Sequence, residues 1–379
     1  MKRILFVEFC PISGSSNGLL TEIDFLGKQF PGVYECIVVS RPDSVFVVHK
    51  KRLGYTLYLR EAIELKDFFV HPLSVFVSYI STLLFVFFVA VKHRPHIIHC
   101  NHYMWSIYAN PVGFFLRTRV IIHLKDVWLL EPKIARILMK FNPNVLYVAV
   151  SRYVYGLFTK TYNIDKNKTV MIYDGVDDTI FTPPTSKQIK EKMRNSQKRI
   201  VMMSRVAPER DIEVFIDAAA LLLQKYPDLL FEHYGYRKGL VDEEYFLMLK
   251  QRVKGLRITK RFAFRQYIEE FSKVASLLRS SYLSVVPGRR FALPNTAIES
   301  MLCGTPVIAL RVGGNPEIIT DDKMGTLVST CSPVLFAQAI DQFLTGQKNY
   351  LEAVACGAKH ARDMFSAEKQ YRKLVKLYE

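Results

Sequence analysis

The sequence predicts an α/β chain whose strands and helices alternate and close into two doubly wound domains. Short apolar runs such as Lys2–Phe9, Glu35–Ser40 and Leu283–Val286 alternate with longer segments of helical period, the pattern of βαβ units and parallel sheets. The length, 379 residues, exceeds one domain and suits two, and half of the residues are hydrophobic, enough for two cores. The turn-rich stretch Tyr173–Pro184, which ends in two prolines, reads as the linker between them. The expected division is 1–175, then 176–360, then 361–379 carrying a final amphipathic helix.

Taken in order, Lys2–Phe9 reads as a first strand, followed by a Gly/Ser loop from Pro11 to Gly18 and a helix to about Phe30. Glu35–Ser40 is the next strand. After an apolar helix come the strand His96–Cys100, a helix from Trp105 to Leu116, and strands at Arg119–Leu124, Leu146–Ser151 and Lys168–Tyr173. The second half opens with the strand Arg199–Arg205 and a helix from Ile212 to Lys225, then strands near Leu230–Tyr234, Arg261–Phe264 and Leu283–Val286. The run Phe291–Glu317 is a loop, a helix, a buried strand, a glycine turn and the start of another helix. Pro294 suits a helix start, Gly304 and Pro306 end that helix, and Val307–Leu310 is apolar on both faces.

Charge and cysteine usage narrow the setting. The net charge is +17, with clusters at His49–Arg52, Lys187–Arg199 and Lys250–Arg265. No nucleic-acid motif accompanies it, which leaves an anionic membrane surface or merely a solvated face as the partner of that charge. The six cysteines show no C-x-x-C pair, which fits free thiols in a reducing compartment. The start of the chain is interrupted by Glu8 and reads as a strand rather than a signal peptide. Leu73–Val91 is nineteen residues without a charge, long enough for a membrane span. A span would put the strands before and after it on opposite sides of a bilayer, so a buried or partly membrane-dipping helix is expected instead.

The residues that can do chemistry cluster near predicted strand ends. Gly313-Gly314 lets backbone approach a ligand closely, and Pro316-Glu317 opens a helix with an acid at its positive end. Ser204–Asp211 carries Arg205 and Arg210 between a strand and a helix start, where two guanidinium groups can clamp a diphosphate. The alternative is two ordinary surface arginines. Glu299 sits near the start of the helix after Pro294, where a carboxylate also suits the helix dipole alone. Gly14 and Ser15 lie in the first Gly/Ser loop, whose N–H groups can face a phosphate. His96, His99 and His102 alternate faces on a strand and so read as structural rather than metal-binding.

Phe291-Ala-Leu-Pro-Asn-Thr-Ala-Ile-Glu299, followed by Gly304-Thr-Pro-Val-Ile308 and Gly313-Gly-Asn-Pro-Glu317, resembles the donor-binding segment of the retaining glycosyltransferases of family 4. The resemblance covers nearly the whole chain, most closely residues 283–327. It implies the GT-B fold, two Rossmann-like domains facing across a cleft, with the last helix crossing back onto the first domain. It implies that Glu299 binds the nucleotide ribose and that residues Phe291, Ala292, Leu293, Pro294, Asn295 and Thr296 line the donor. Where the family places a first glutamate eight positions earlier, at the donor sugar, this chain has Phe291. Arg205 matches the family's phosphate-binding arginine, Arg210 replaces its lysine and Asp211 replaces a glycine. Gly14 and Ser15 correspond to a loop that approaches the donor diphosphate.

In Ile122–Trp128, Asp126 matches the aspartate of a His-Asp pair near the sugar and acceptor, and Lys125 stands at the histidine position. Asn101 joins Lys125 as a candidate for the acceptor or sugar. The family implies transfer without a metal or other cofactor. The expected function is therefore transfer of a sugar, with Arg205, Arg210 and Asp126 as catalytic residues. The donor is a nucleotide-sugar and the acceptor a lipid-linked or membrane-proximal glycan, as in surface polysaccharide or lipopolysaccharide synthesis, at the cytoplasmic face of the membrane. The rival expectation is a non-catalytic nucleotide-sugar-binding or scaffold protein, suggested by Phe291, Arg210 and Asp211 together. A basic protein that uses only its surface is a third.

Overall fold

The computed structural model describes residues 1–10, 14–61, 72–127, 137, 139–239 and 241–379. Parts of the first Gly/Ser loop and Trp128 lie outside them. The chain divides into two compact units, Met1–Gly175 with Ala367–Glu379, and Val176–Ser366.

The first unit is built on seven strands: β1 (Lys2–Val7), β2 (Tyr34–Ser40), β3 (Thr56–Leu59), β4 (Ile97–Cys100), β5 (Arg119–Leu124), β6 (Val145–Ala149) and β7 (Thr169–Met171). They pair in the order β3-β2-β1-β4-β5-β6-β7, every pair parallel. The winding reverses between β1 and β4, which makes their carboxyl ends the crevice where such sheets bind ligands. Helices α1 (Gly14–Gln29), α2 (Val45–Leu53), α3 (Pro72–His93), α4 (Ser106–Phe115) and α5 (Arg152–Thr161) connect the strands. Residues Ile4, Leu5, Phe6 and Val7 of β1 have no exposed surface, as expected of a central parallel strand covered on both faces.

The second unit repeats the plan with β8 (Arg199–Met203), β9 (Leu230–Tyr236), β10 (Phe262–Gln266), β11 (Leu283–Val286), β12 (Val307–Leu310) and β13 (Gly325–Val328). Its order is β10-β9-β8-β11-β12-β13, again parallel throughout, with the reversal between β8 and β11. Its helices are α6 (Ser186–Arg194), α7 (Ile212–Lys225), α8 (Glu243–Gly255), α9 (Phe271–Ser280), α10 (Asn295–Leu302), α11 (Asn315–Ile318), α12 (Pro333–Leu344) and α13 (Tyr350–Phe365).

The last helix, α14 (Ala367–Tyr378), returns to the first unit. Tyr371, Leu374, Val375 and Tyr378 recur at helical spacing and are buried in the same core as Ile4, Phe6, Leu19 and Ile23. Each such side chain contributes roughly 1.5–3 kcal/mol relative to exposure. The Tyr378 hydroxyl also reaches Glu22 of α1 and lies 2.5 Å from Nδ1 of His99 on β4. The three predicted strand histidines serve three separate purposes. His96 accepts the Arg3 backbone N–H at 3.1 Å, His99 sits in the core, and His102 caps the short turn at Tyr103–Trp105.

Several elements went unread in the sequence, among them α2, β3, α5, α6, α8, α9, β13, α12 and α13. The first helix also begins earlier than expected. Gly14 and Ser15, expected on a loop, occupy the first turn of α1. Pro294 stands one position before α10, as its N-cap.

Candidate functional site

In the second unit the candidate residues collect at the carboxyl ends of β8, β11 and β12. The chain leaves β8 at Ser204, whose carbonyl oxygen would lie 1.8 Å from a Cβ on Gly235, so only glycine at that position of β9 lets this loop sit down. Pro208–Arg210 then forms a tight turn, and Asp211 adopts a left-handed conformation, φ 52°, at the start of α7. That strained aspartate is buried and grips the loop after β11. Its Oδ2 accepts from the Arg289 backbone N–H at 2.9 Å and from Arg289 Nε at 3.0 Å, and its Oδ1 lies 2.7 Å from Arg289 Nη2. Asp211 therefore spends its charge on Arg289, in the paired and hydrogen-bonded form that a buried carboxylate needs.

The two arginines of the loop are held differently. Arg205 is more than half exposed and pairs with Glu209 four residues on. Arg210 donates to the Arg290 carbonyl at 2.8 Å and lays its guanidinium 4.3 Å from the centroid of the Phe291 ring. A planar cation over an aromatic face is a favourable contact, and it fixes the arginine's direction. Gly288 is the floor beneath them, because a Cβ there would meet Phe291 Cε2 at 2.8 Å and the Arg210 Cα at 3.1 Å.

The segment Phe291–Thr296 is clamped from below by the glycine turn. A Cβ on Gly313, φ 56°, would lie 2.0 Å from the Phe291 carbonyl oxygen, and one on Gly314 would lie 2.4 Å from that of Ala292. The sequence reading assigned these glycines to close approach of a ligand. In the structure the backbone that approaches them belongs to Phe291–Leu293. Ala292, Leu293 and Pro294 are buried, which leaves Phe291, Asn295 and Thr296 partly open.

Asn295 and Glu299 are four apart on α10 and so share a face. The Asn295 side-chain oxygen is buried with no hydrogen-bond partner among the described residues. Glu299 is half-buried, and loss of water around its carboxyl pushes its pKa up to about 7. An acceptor oxygen and a carboxyl that has lost its water thus stand together near a helix start. This is an arrangement that a ligand's hydroxyl groups can complete.

In the first unit, β1 ends at Val7 and the next residue, Glu8, is fully buried. Its carboxylate accepts from the Cys10 backbone N–H at 2.7 Å and from the Asn101 side-chain amide. Asn101 is thus buried and ties the end of β4 to the end of β1. Lys125, just past β5, has a nearly buried side chain paired with Asp174 at 3.1 Å. A Cβ on Gly18 of α1 would lie 3.5 Å from its ammonium nitrogen. Asp126 is half-buried, accepts from the Val127 backbone N–H at 2.7 Å, and stands 3.8 Å from His102 Nε2. The α1 start, Lys125 and Asp126 therefore gather at the carboxyl ends of this sheet.

Among the described residues, Glu22, His99 and His123 bring ligand-type atoms within 4.8 Å of one another. All three are buried, and His99 Nε2 lies 3.0 Å from His123 Nδ1. Burial and the neighbouring Lys125 charge lower the His123 pKa, which favours a neutral ring that shares protons within this network. The sequence reading missed Glu8, Arg289 and this network. Glu8 alone left a signal, as a charge interrupting an apolar strand.

Comparison with known proteins matches both units. A family model described as glycosyl transferases group 1 matches residues 184–360, and one described as glycosyltransferase family 4 matches residues 44–180. A D-inositol 3-phosphate glycosyltransferase of Geodermatophilus obscurus is 28% identical over 222 residues, covering 57% of this chain and 48% of the relative. The chain thus spans about half the length of that curated relative. Anabaena HepE, solved in complex with UDP-glucose, superposes with a TM-score of 0.80 at 19% identity, covering 100% of this chain and 99% of that one. The lipopolysaccharide outer core galactosyltransferase WaaB superposes with a TM-score of 0.69 at 14% identity, covering 99% and 98%. At these identities, the two structural likenesses are likenesses of fold.

Proposed function

The chain belongs to glycosyltransferase family 4 and has its two-domain GT-B fold, and from that premise we propose that it transfers a sugar from a nucleotide-sugar to a glycan acceptor. The observation that carries the proposal is the assembly at the β8–β11 reversal. Two arginines stand on one loop, and the helix start beyond them presents Asn295 and Glu299. In this reading Glu299 accepts hydrogen bonds from the ribose. The diphosphate meets Arg205 and Arg210. Charge that develops on the leaving diphosphate as the glycosidic bond breaks is met by guanidinium groups already in place, the preorganised form of electrostatic catalysis. They supply the positive charge that a cation would otherwise bring, so the transfer proceeds without a metal.

Phe291 accepts no hydrogen bond, and one face of its ring is covered by Arg210. The sugar is then held by the backbone at Ala292–Pro294 and by Asn295 and Thr296. Lys125, Asp126 and Asn101 shape the acceptor end of the first unit, with Asp126 the group that touches the acceptor. Retention follows the family's chemistry. The high positive charge suits a lipid-linked or membrane-proximal acceptor, and hence surface polysaccharide or lipopolysaccharide synthesis at the cytoplasmic face of the membrane. Because HepE was solved with UDP-glucose, uridine diphosphate sugars are the first donors to try.

One observation favours a second reading, a non-catalytic nucleotide-sugar binder. The position of the family's first glutamate holds a phenyl ring already stacked on Arg210. A screen of UDP-, GDP-, ADP- and TDP-sugars by thermal shift and donor hydrolysis, with Arg205→Ala and Glu299→Ala beside the wild type, separates the two. Stabilisation by one nucleotide series with Arg205-dependent hydrolysis supports the transferase. Binding without turnover, in the presence of lipid-linked acceptors as well, supports the binder. Absence of any binding removes both.

A further inference from the structure

We infer that the outward face of α3 is a docking surface for an anionic lipid bilayer, and that the helix lies in the plane of that surface. The inference deepens the proposed membrane-proximal function and rests on that reading for its biological sense. Seven large apolar residues of α3 are exposed: Leu73, Phe76, Val77, Ile80, Leu84, Phe88 and Val91, from 36% at Ile80 to 75% at Leu73. At about 100° per residue they fall within an arc of about 120°, and they run roughly 27 Å along the helix. The opposite arc, with Val75, Thr82, Val86 and Val89, is buried in the first unit. Tyr79 from the flank donates to the Ile107 carbonyl at 3.1 Å and stacks on Tyr108 of α4.

A helix that crosses a bilayer meets lipid at both ends and is either lipid-facing or packed in a bundle. This one has a continuous protein-facing side and a continuous bare apolar side, the geometry of a helix half-sunk at an interface.

The surrounding surface continues the pattern. A cleft lined by Ala90, Val91, Arg94, Leu116 and Thr118 sets the end of α3 beside the turn after α4. The end of α4 carries Phe115, 69% exposed, next to Phe114, whose ring is 4.5 Å from that of Phe141. Lys92, Arg94 and Arg117 flank this apolar region and are exposed. No aspartate or glutamate occurs anywhere between Asp67 and Asp126. The exposed bases Lys92, Arg94 and Arg117 border the carboxyl-terminal end of the apolar stripe, and in a chain of net charge +17 they complement the headgroups of anionic lipid.

The test is sedimentation of the full chain with vesicles, either phosphatidylcholine alone or equal parts phosphatidylcholine and phosphatidylglycerol. Wild type is compared with Phe76→Ser/Leu84→Ser/Phe88→Ser and with Arg94→Gln/Arg117→Gln. The expected results are binding to the mixed vesicles, a loss of more than about a hundredfold in the serine variant, and a several-fold, salt-sensitive loss in the glutamine variant. A Leu84→Trp reporter should shift its emission to the blue on vesicle addition. Because all substituted residues are exposed, thermal unfolding and nucleotide binding should match the wild type. Vesicle binding that survives the serine substitutions overturns the inference. So does wild-type self-association that those substitutions abolish, without any effect of lipid. If no nucleotide-sugar binds but the stripe still binds vesicles, the donor reading falls and the docking surface stands.

Discussion

Replacing Glu299 with glutamine should remove a pH dependence of donor binding that the wild type shows. The carboxyl titrates near 7 because its surroundings withhold water from the charged form. The hydroxyls of a ribose donate hydrogen bonds, and the ionised carboxylate is the stronger acceptor. Donor binding then selects the ionised fraction, and the apparent dissociation constant scales with the inverse of that fraction. Above about pH 8 nearly all of the free protein is competent. At about pH 7 half is, and at about pH 6 roughly a tenth, so affinity should weaken roughly tenfold from about pH 8 to about pH 6.

A sugar nucleotide suits the assay better than the free diphosphate, because its esterified terminal phosphate has no proton to lose in this range. Calorimetric titration in two buffers of different ionisation enthalpy should also reveal protons released on binding, most strongly at about pH 6. The amide introduced by Glu299→Gln has no such proton, so the variant should bind more weakly and with a flat profile. Parallel pH curves for the two proteins, or an equal proton release, would refute the assignment of Glu299 to the ribose.

Other consequences are as concrete. With Glu299 raised from 4.5 to about 7 in the folded protein, the folded state holds a proton that the unfolded chain has lost between those values. Stability from this group falls as pH rises through that window, and Glu299→Gln should recover up to about 3 kcal/mol at about pH 8 in denaturant unfolding. Gly313→Ala places a Cβ against the Phe291 carbonyl at a left-handed position. It should cost about 1–3 kcal/mol, and by shifting Phe291–Leu293 it should weaken donor binding in the same calorimeter. Asp211→Asn and Arg289→Gln should each destabilise the second unit by about 1–3 kcal/mol, and the double variant should lose little more than either, as a double-mutant cycle would show. Tyr378→Phe strips the hydroxyl from buried Glu22 and His99 and should lower stability by about 1–3 kcal/mol with donor affinity unchanged.

What the sequence disclosed and what it hid divide along a physical line. The strands β1, β5, β8 and β12 are continuous apolar runs bounded by turn residues, and such a signal is local. The second half of α2 is mostly the basic run His49-Lys-Lys-Arg52, so its apolar face is too short to show a period, and β3 is a four-residue strand at the sheet edge. The helix α6 is polar along most of its length and read as a basic cluster. Its capping box, Thr185 with Gln188, was nonetheless legible as T-x-x-Q.

The site behaves in the same way. Phe291–Glu317 is contiguous and its loop, helix, strand and turn could be read in order. The pairing of Asp211 with Arg289, the stacking of Arg210 on Phe291 and the pairing of Lys125 with Asp174 each join residues about 50 to 80 positions apart. Only the sheet order brings them together. Because of that, the charge of Asp211, which looked on paper like a threat to the phosphate clamp, is in fact consumed elsewhere.

The return of α14 to the first unit bears on how the protein is born. The N-terminal sheet is synthesised first, yet the core that holds Ile4, Phe6 and Leu19 also holds Tyr371, Leu374 and Tyr378, and the buried Glu22 acquires its hydroxyl partner only from that last helix. Val176–Ser366, by contrast, is one uninterrupted stretch. On the ribosome the later-made half therefore has everything it needs to finish while the earlier-made half waits, with an apolar groove open on α1 and Glu22 still without the Tyr378 hydroxyl. The order of completion runs opposite to the order of translation, and the nascent first unit stays open to chaperones and proteases until α14 emerges.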